Sequence, residues 1–311
     1  MLGVCKGDHR TSIGHVDLDS RFSSPDGGFS PLCKGLGQVC RNLILTLGQA
    51  LFPATCYGCG QLFGLPRPAS GNLLANPGDT ARYHPSDEVL RGFLCKSCLS
   101  RYEAAISPLC SRCGLPFASS QAVDHVCAEC QVRPPAYIMA RASGVYNDVL
   151  KTMIHHFKYG GREHLARPLG RMMWRTLREN WQPDQIDRVV PVPLHTSRLR
   201  YRGFNQAYAL VREWPRLAAH GDWRLSGDWL APDLLERRRP TQHQTGLDKG
   251  QRLDNLSDAF GLAKGHAIRG LKVLLADDVM TTGATVEACS RALLDAGARE
   301  VHVLAAARAV R

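Results

Sequence analysis

No stretch of this 311-residue chain approaches the roughly 20 consecutive apolar residues that a membrane-spanning helix needs. The most apolar candidate, LILTLGQALF at 43–52, is about half that length and reads as a short amphipathic helix. The first residues, MLGVCKGDHRTSIGHVDLDS, lack the apolar centre of a secretory signal. The expected compartment is therefore the reducing cytoplasm, without membrane insertion. No GxxxxGK[ST] motif is present, which argues against a P-loop hydrolase. No GxGxxG follows a strand-like run, so the dinucleotide-binding fingerprint is missing as well.

What the chain does have is positive charge. Its 39 Lys and Arg against 28 Asp and Glu leave a net +11. That balance favours polyanionic partners: nucleic acid, phosphorylated small molecules or an anionic membrane surface. A hydrophobic share of 44% with 22% charged residues is enough for a sizeable core. The texture divides in three. Residues 1–48 mix Gly, Ser, Asp and Pro without periodicity and read as a poorly ordered extension. Residues 49–135 are cysteine-rich and loop-rich. Residues 136–311 alternate strands with helices.

Twelve cysteines in a reducing compartment argue for metal rather than disulfides. Eight of them form four CxxC units: Cys56/Cys59, Cys95/Cys98, Cys110/Cys113 and Cys127/Cys130. Two such units supply the four thiolates of one tetrahedral zinc site, so four supply two structural Zn²⁺ ions. Sequential pairing of the units is the simplest arrangement, with interleaving open as the alternative. CYGCG and CSRCG add a glycine after the second cysteine, as tight zinc knuckles do. Redox dithiols are the competing reading, but they usually occur singly at a strand–helix junction.

In the last part, apolar runs and helical spacing predict a strand or hairpin at 137–147, helices at 148–160 and 163–180, and a strand at 187–194. A helix at 205–217, strands at 232–239 and 272–277, a helix at 284–297 and a last strand at 299–309 follow. Strand–helix alternation of this kind implies an α/β fold, a mostly parallel sheet with helices on both faces. Its ligand site belongs beyond the C-terminal ends of the strands.

The stretch KVLLADDVMTTGATVEAC, 272–289, occupies such an end. Asp277 and Asp278 close the strand, and Thr281, Thr282, Gly283, Ala284 and Thr285 turn into a helix. Free N–H groups at a helix start, hydroxyls and a glycine for close approach make a phosphate cradle. The acids repel phosphate and suit sugar hydroxyls instead. Diol clamp beside phosphate cradle is a phosphoribosyl recognition device. An N-capping acid before an ordinary helix would account for one Asp and one Thr only.

VLLADDVMTTGAT resembles the phosphoribosyl pyrophosphate signature of type I phosphoribosyltransferases, with Ala276 smaller than the usual Val or Ile. CYGCG, CKSCLSRYEAA, CSRCG, YNDVLKTMIHHFKYGGREHLARPLG, VVPVPLHTSRLRYRGFNQA and LERRRPTQHQTGLDKGQRLDNLSDAF are similar, in that order, to the ComF (GntX-like) family. The likeness runs from about residue 51 to 311. It implies a double zinc ribbon followed by a type I phosphoribosyltransferase domain, and a link to natural competence and DNA uptake.

By this resemblance VPVPL, with Pro193, stands where a pyrophosphate-binding loop is expected, and Arg198, Arg200 and Arg202 follow it as pyrophosphate ligands. Lys158 and Arg162 either reach the phosphates or serve as exposed cations at a helix end. The segment RRRPTQHQTGLDKGQR resembles the mobile hood of the fold class. The implied chemistry is phosphoribosyl transfer with Mg²⁺ and phosphoribosyl pyrophosphate, in which Asp277 and Asp278 hold the ribose hydroxyls. The acceptor stays open. The alternative is a non-catalytic factor that binds single-stranded DNA, and works with competence helicase or uptake proteins, through its basic balance, its ribbons and the Arg/aromatic run RLRYRGF.

Overall fold

The computed structural model describes residues 54–64, 86–117, 123–219, 223, 227–239 and 259–310. They belong to one compact unit. The expected extension, the helix at 43–52, most of the insert after the first CxxC unit and the hood residues 240–252 lie outside them. In chain order the elements are β1 (Ala54–Thr55), β2 (Leu62–Phe63), α1 (Ser86–Leu90), α2 (Lys96–Leu99), α3 (Ala128–Val132), β3 (Met139–Val145), α4 (Asp148–Tyr159), α5 (Ala166–Asn180), β4 (Arg188–Pro191), α6 (Thr196–Arg202), α7 (Gln206–Val211), α8 (Trp214–Ala219), β5 (Leu235–Arg237), β6 (Phe260–Leu262), β7 (Lys272–Met280), α9 (Ala284–Asp295) and β8 (Glu300–Arg308).

The central sheet has four strands in the order β3-β8-β7-β4, every neighbouring pair parallel. Its inner strands are apolar on consecutive residues because both faces are covered. Leu274, Ala276, Leu304 and Ala306 face a layer built from α4, α5 and α7. Val273, Leu275, Val301, Val303 and Ala305 face the opposite layer, which holds α9, the β5–β6 hairpin and the second group of cysteines. In the first layer Trp174, Trp214, Trp223 and Trp229 cluster, with neighbouring ring centroids 5.6–6.3 Å apart.

Three expectations change in detail. The helix at 205–217 divides into α7 and α8, because Pro215 has no N–H to give to the carbonyl of Val211. The strand at 272–277 runs on to Met280, since β8 pairs with it as far as Met280 opposite Arg308. The loop expected at VPVPL gives way to a seven-residue helix, α6, which carries Arg198, Arg200 and Arg202.

The cysteine-rich segment is bound to the free edge of β3. Ala105 N–H donates to Ser143 O (3.4 Å), Val145 N–H to Glu103 O (2.8 Å) and Ala140 N–H to Arg112 O (2.7 Å). Gly114, just after Cys113, permits the last of these contacts: its φ is 65°, and a Cβ there would lie 2.5 Å from Ala140 O. Among the described residues no helix is long and apolar enough to cross a membrane.

Candidate functional site

The eight CxxC cysteines converge in two groups, Cys56/Cys59/Cys95/Cys98 and Cys110/Cys113/Cys127/Cys130, with ligand atoms within 4.8 Å of one another in each. The pairing is sequential. A tetrahedral zinc with Zn–S bonds of about 2.3 Å sets its sulfurs about 3.8 Å apart. Cys59–Cys95 and Cys113–Cys127 stand at 3.8 Å, so both groups fit that ion. Sulfur also receives N–H donors, as ligated thiolates require: Gly58 and Cys95 on Cys56, Cys113 and Cys127 on Cys110. Burial opposes ionisation, yet these donors bring Cys56 and Cys110 down to about 7. Arg101 adds a charge-assisted contact to Cys98 Sγ at 3.2 Å.

Within the sheet β4 stops level with Ala276, and Val192 N–H makes the last bond, to Ala276 O at 2.9 Å. The chain then leaves through buried Pro193 into α6. Residues 277–280 therefore have β8 on one side and no paired strand on the other. Alternation along a strand sends adjacent side chains to opposite faces. Asp278 turns to the α4 layer, where Lys158 Nζ lies 2.8 Å from Oδ1, the two side chains only 17% and 12% exposed. Burial works against the Lys158 charge, but Asp278 and Asp277 outweigh it and raise its pKa. Lys158 also ends α4, where the helix dipole favours a cation.

Asp277 is partly exposed, although protein atoms crowd its carboxylate. That desolvation, then the charge of Asp278, push its pKa up to about 7 against the pull of Lys158 and Arg202. Its Oδ1 accepts from Asp278 N–H at 2.8 Å.

The loop from Thr281 to Thr285 follows directly. Thr281 is exposed, Thr282, Gly283 and Thr285 are partly so, and Ala284 is buried. Gly283 caps α9 at φ 80°, a conformation that side chains resist. Thr282 Oγ1 accepts from Ala284 N–H at 3.4 Å.

Of the three arginines on α6, Arg198 and Arg202 lie four residues apart on one helix face and are half-buried, whereas Arg200 is exposed on the other side. Arg202 donates to Tyr159 Oη (2.7 Å) and Gln206 Oε1 (2.9 Å). Arg162, by contrast, stands over the Tyr57 ring beside the first cysteine group, 5.1 Å from its centroid. Two residues were not singled out in the sequence, Arg237 being named only within the hood segment. Arg237, on β5, stacks over Phe260 at 5.3 Å; burial first, then Arg198, lower its pKa, while Cys289 and Asp277 hold it up. Arg308, at the end of β8, is 7% exposed and donates to the carbonyls of Met280 (3.0 Å) and Thr281. The available signal was an arginine directly after the apolar run 303–307.

Fold and site together define a class: a parallel α/β sheet with a strand-end acid pair and a glycine-containing loop, fronted by two four-cysteine groups. No family model matches the chain. It is 32% identical over 213 residues to the DNA utilization protein YhgH of Salmonella typhimurium, covering 68% of this chain and 88% of that protein. With competence protein ComFC of Bacillus subtilis it shares 30% over 210 residues, 66% of this chain and 79% of the relative. The chain belongs to the ComF family. Among solved structures, a hypoxanthine phosphoribosyltransferase from Staphylococcus aureus overlaps 46% of this chain and 62% of its own, at 16% identity and a TM-score of 0.27.

Proposed function

We propose that the site beside β7 binds phosphoribosyl pyrophosphate with Mg²⁺, and that the protein transfers the phosphoribosyl group to an acceptor. The observation that carries this reading is the sequence of groups along one backbone. Two carboxylates lie at the open end of β7, and a positive-φ glycine heads α9 a few residues later. Asp277 and Asp278 accept hydrogen bonds from the ribose hydroxyls and stabilise the positive charge that develops at the anomeric carbon. Backbone N–H groups of 281–285 hold the 5′-phosphate. Arg198 and Arg202, with Arg237 nearby, hold the pyrophosphate. Mg²⁺, when bound, polarises that leaving group. The anomeric C–O bond breaks, pyrophosphate leaves with the electron pair, and the acceptor's nucleophilic atom forms the new bond and loses its proton.

Isothermal titration with Mg²⁺ and phosphoribosyl pyrophosphate tests the reading. Saturable binding that disappears with Asp277→Asn plus Asp278→Asn supports it; absent binding, or binding indifferent to those changes, sinks it. Catalysis is tested by pyrophosphate release across candidate acceptors, DNA among them.

A second role, binding of single-stranded DNA in the cytoplasm during DNA uptake, is favoured by one surface. On α6 Tyr201 is 82% exposed beside exposed Leu199 and Arg200, and an open aromatic next to a cation is how bases stack and phosphates pair. The names of the relatives, which speak of competence and DNA utilization, agree with it. Affinity for an unstructured oligonucleotide should fall steeply with salt and drop further in Tyr201→Ala.

A further inference from the structure

The buried arginine at the end of β8 is not accounted for by the ligand reading above, because it contacts backbone rather than the site. Every side chain of β8 from Val301 to Ala307 is buried, and all but His302 are apolar. Arg308 then places a full charge among them, 7% exposed, with Nε lacking a hydrogen-bond partner among the described residues. Burying a cation in this way is costly unless its surroundings compensate. Two things do. One guanidinium nitrogen donates to the carbonyls of both Met280 and Thr281. Arg308 also bounds the same cavity as Cys113 and Cys130 of the second cysteine group. Four thiolates around one divalent zinc carry a net charge of −2, which suits a neighbouring cation.

Met280 and Thr281 are the residues at which β7 becomes the phosphate loop. A trans peptide is planar, so its C=O and N–H point in opposite directions. With the Met280 and Thr281 carbonyls turned to Arg308, the N–H groups of Thr281 and Thr282 are turned away from it, to the open side of the loop. Without Arg308, nothing in the described contacts reserves those carbonyl orientations beyond the single bond from Ala309 N–H to Met280 O at 3.0 Å. The loop would also have room to move. A cavity of ≈ 290 Å³ separates it from the second cysteine group, bounded among others by Cys113, Cys130, Pro135, Tyr137 and Gly283.

We propose that Arg308 is a positioning residue that aims two backbone N–H groups of the phosphate loop at the 5′-phosphate, anchored from behind by the second zinc cluster. The inference rests on the reading of 281–285 as a phosphate cradle. It assigns the orientation of that cradle to a side chain on a different strand.

The test uses the intact protein and two probes, ribose 5-phosphate for the cradle and inorganic pyrophosphate with Mg²⁺ for the arginine side of the site. In Arg308→Met, affinity for ribose 5-phosphate should fall by about tenfold to a hundredfold, affinity for pyrophosphate should stay within about twofold, and zinc content should be unchanged. Arg308→Lys, which can serve one carbonyl at a time, should recover part of the loss; it also stands in if the methionine variant fails to fold. If the wild type ignores ribose 5-phosphate, the phosphate-cradle reading itself falls. If the wild type binds it and both variants bind it equally well, or lose both probes in parallel, Arg308 does not position the loop.

Discussion

Replacing Lys158 by methionine removes the cation lying 2.8 Å from Asp278 while keeping most of the aliphatic stem. With side chains 17% and 12% exposed, water screens the pair poorly. Two unit charges about 4 Å apart attract by about 4 kcal/mol at an effective dielectric constant near 20. Orphaning one member of a buried pair costs about 3–5 kcal/mol, and here the orphan stands beside a second carboxylate. At about 2–4 °C per kcal/mol for a chain of this size, Lys158→Met should melt on the order of 6–20 °C below wild type at pH 8. The pH dependence has a definite sign. Loss of the cation raises the Asp277 carboxylate, already at about 7 with Lys158 present, further above its unfolded value. Stability tied to such a group is complete below the unfolded value and is lost as pH rises through the folded one. The deficit should therefore shrink between pH 8 and pH 5. Lys158→Met with Asp278→Leu removes both charges and should recover much of the loss. Urea denaturation followed by fluorescence of the tryptophan cluster reports all three proteins at both pH values. A single variant within about 0.5 kcal/mol of wild type, or a deficit identical at pH 5 and pH 8, refutes the reasoning.

Elemental analysis should find two zinc ions per chain, and Cys130→Ser should release one while leaving the other; loss of both would contradict separate clusters. Binding of Mg²⁺ with phosphoribosyl pyrophosphate should strengthen as pH rises through about 7, because the Asp277 carboxylate must ionise to serve. Titrations at pH 6 and 8 should show that slope in wild type and a flattened one in Asp277→Asn. Gly283→Ala forces a side chain into φ 80°, at a cost of about 1–2 kcal/mol, and should weaken ribose 5-phosphate binding in the same titration. Gly170→Ala would set a Cβ 2.1 Å from the carbonyl of Leu210 where α5 meets α7. Overpacking of about 1–3 kcal/mol or more should follow, read as a lowered melting temperature with zinc content intact.

Much of this was legible in the sequence, for identifiable reasons. The CxxC spacing fixes which thiolates share a turn, and glycine after the second cysteine anticipates the left-handed turn seen at Gly114. Continuous apolar runs at 273–276 and 303–307 announce strands buried on both faces. Local pattern could not reveal how long β7 is, because its last residues are held by β8 rather than by their own character. It also could not reveal that the acid pair is split between two faces with Lys158 claiming Asp278, since that pairing spans 120 residues. Arg198, Arg200 and Arg202 read as one basic cluster; the helix divides them into a face that looks inward and a residue that looks out. Arg237 and Arg308 were hidden because their partners lie on other strands.

The attachment of the cysteine-rich segment to β3 bears on how the protein fails. A sheet's outermost strands invite pairing with other molecules unless they are blunted. At β4 the strand is four residues long and ends in Pro191, which offers no N–H, and Ala231 N–H already occupies Val189 O at 2.9 Å. At β3 the shield is the backbone around residues 103–105 and 112, which belongs to the segment that carries the two four-cysteine groups able to hold metal ions. With both groups loaded, a chelator would do more than remove metal. It would open a seven-residue strand to its neighbours in solution, so that demetallated protein should be lost as aggregates before it is lost as unfolded monomer.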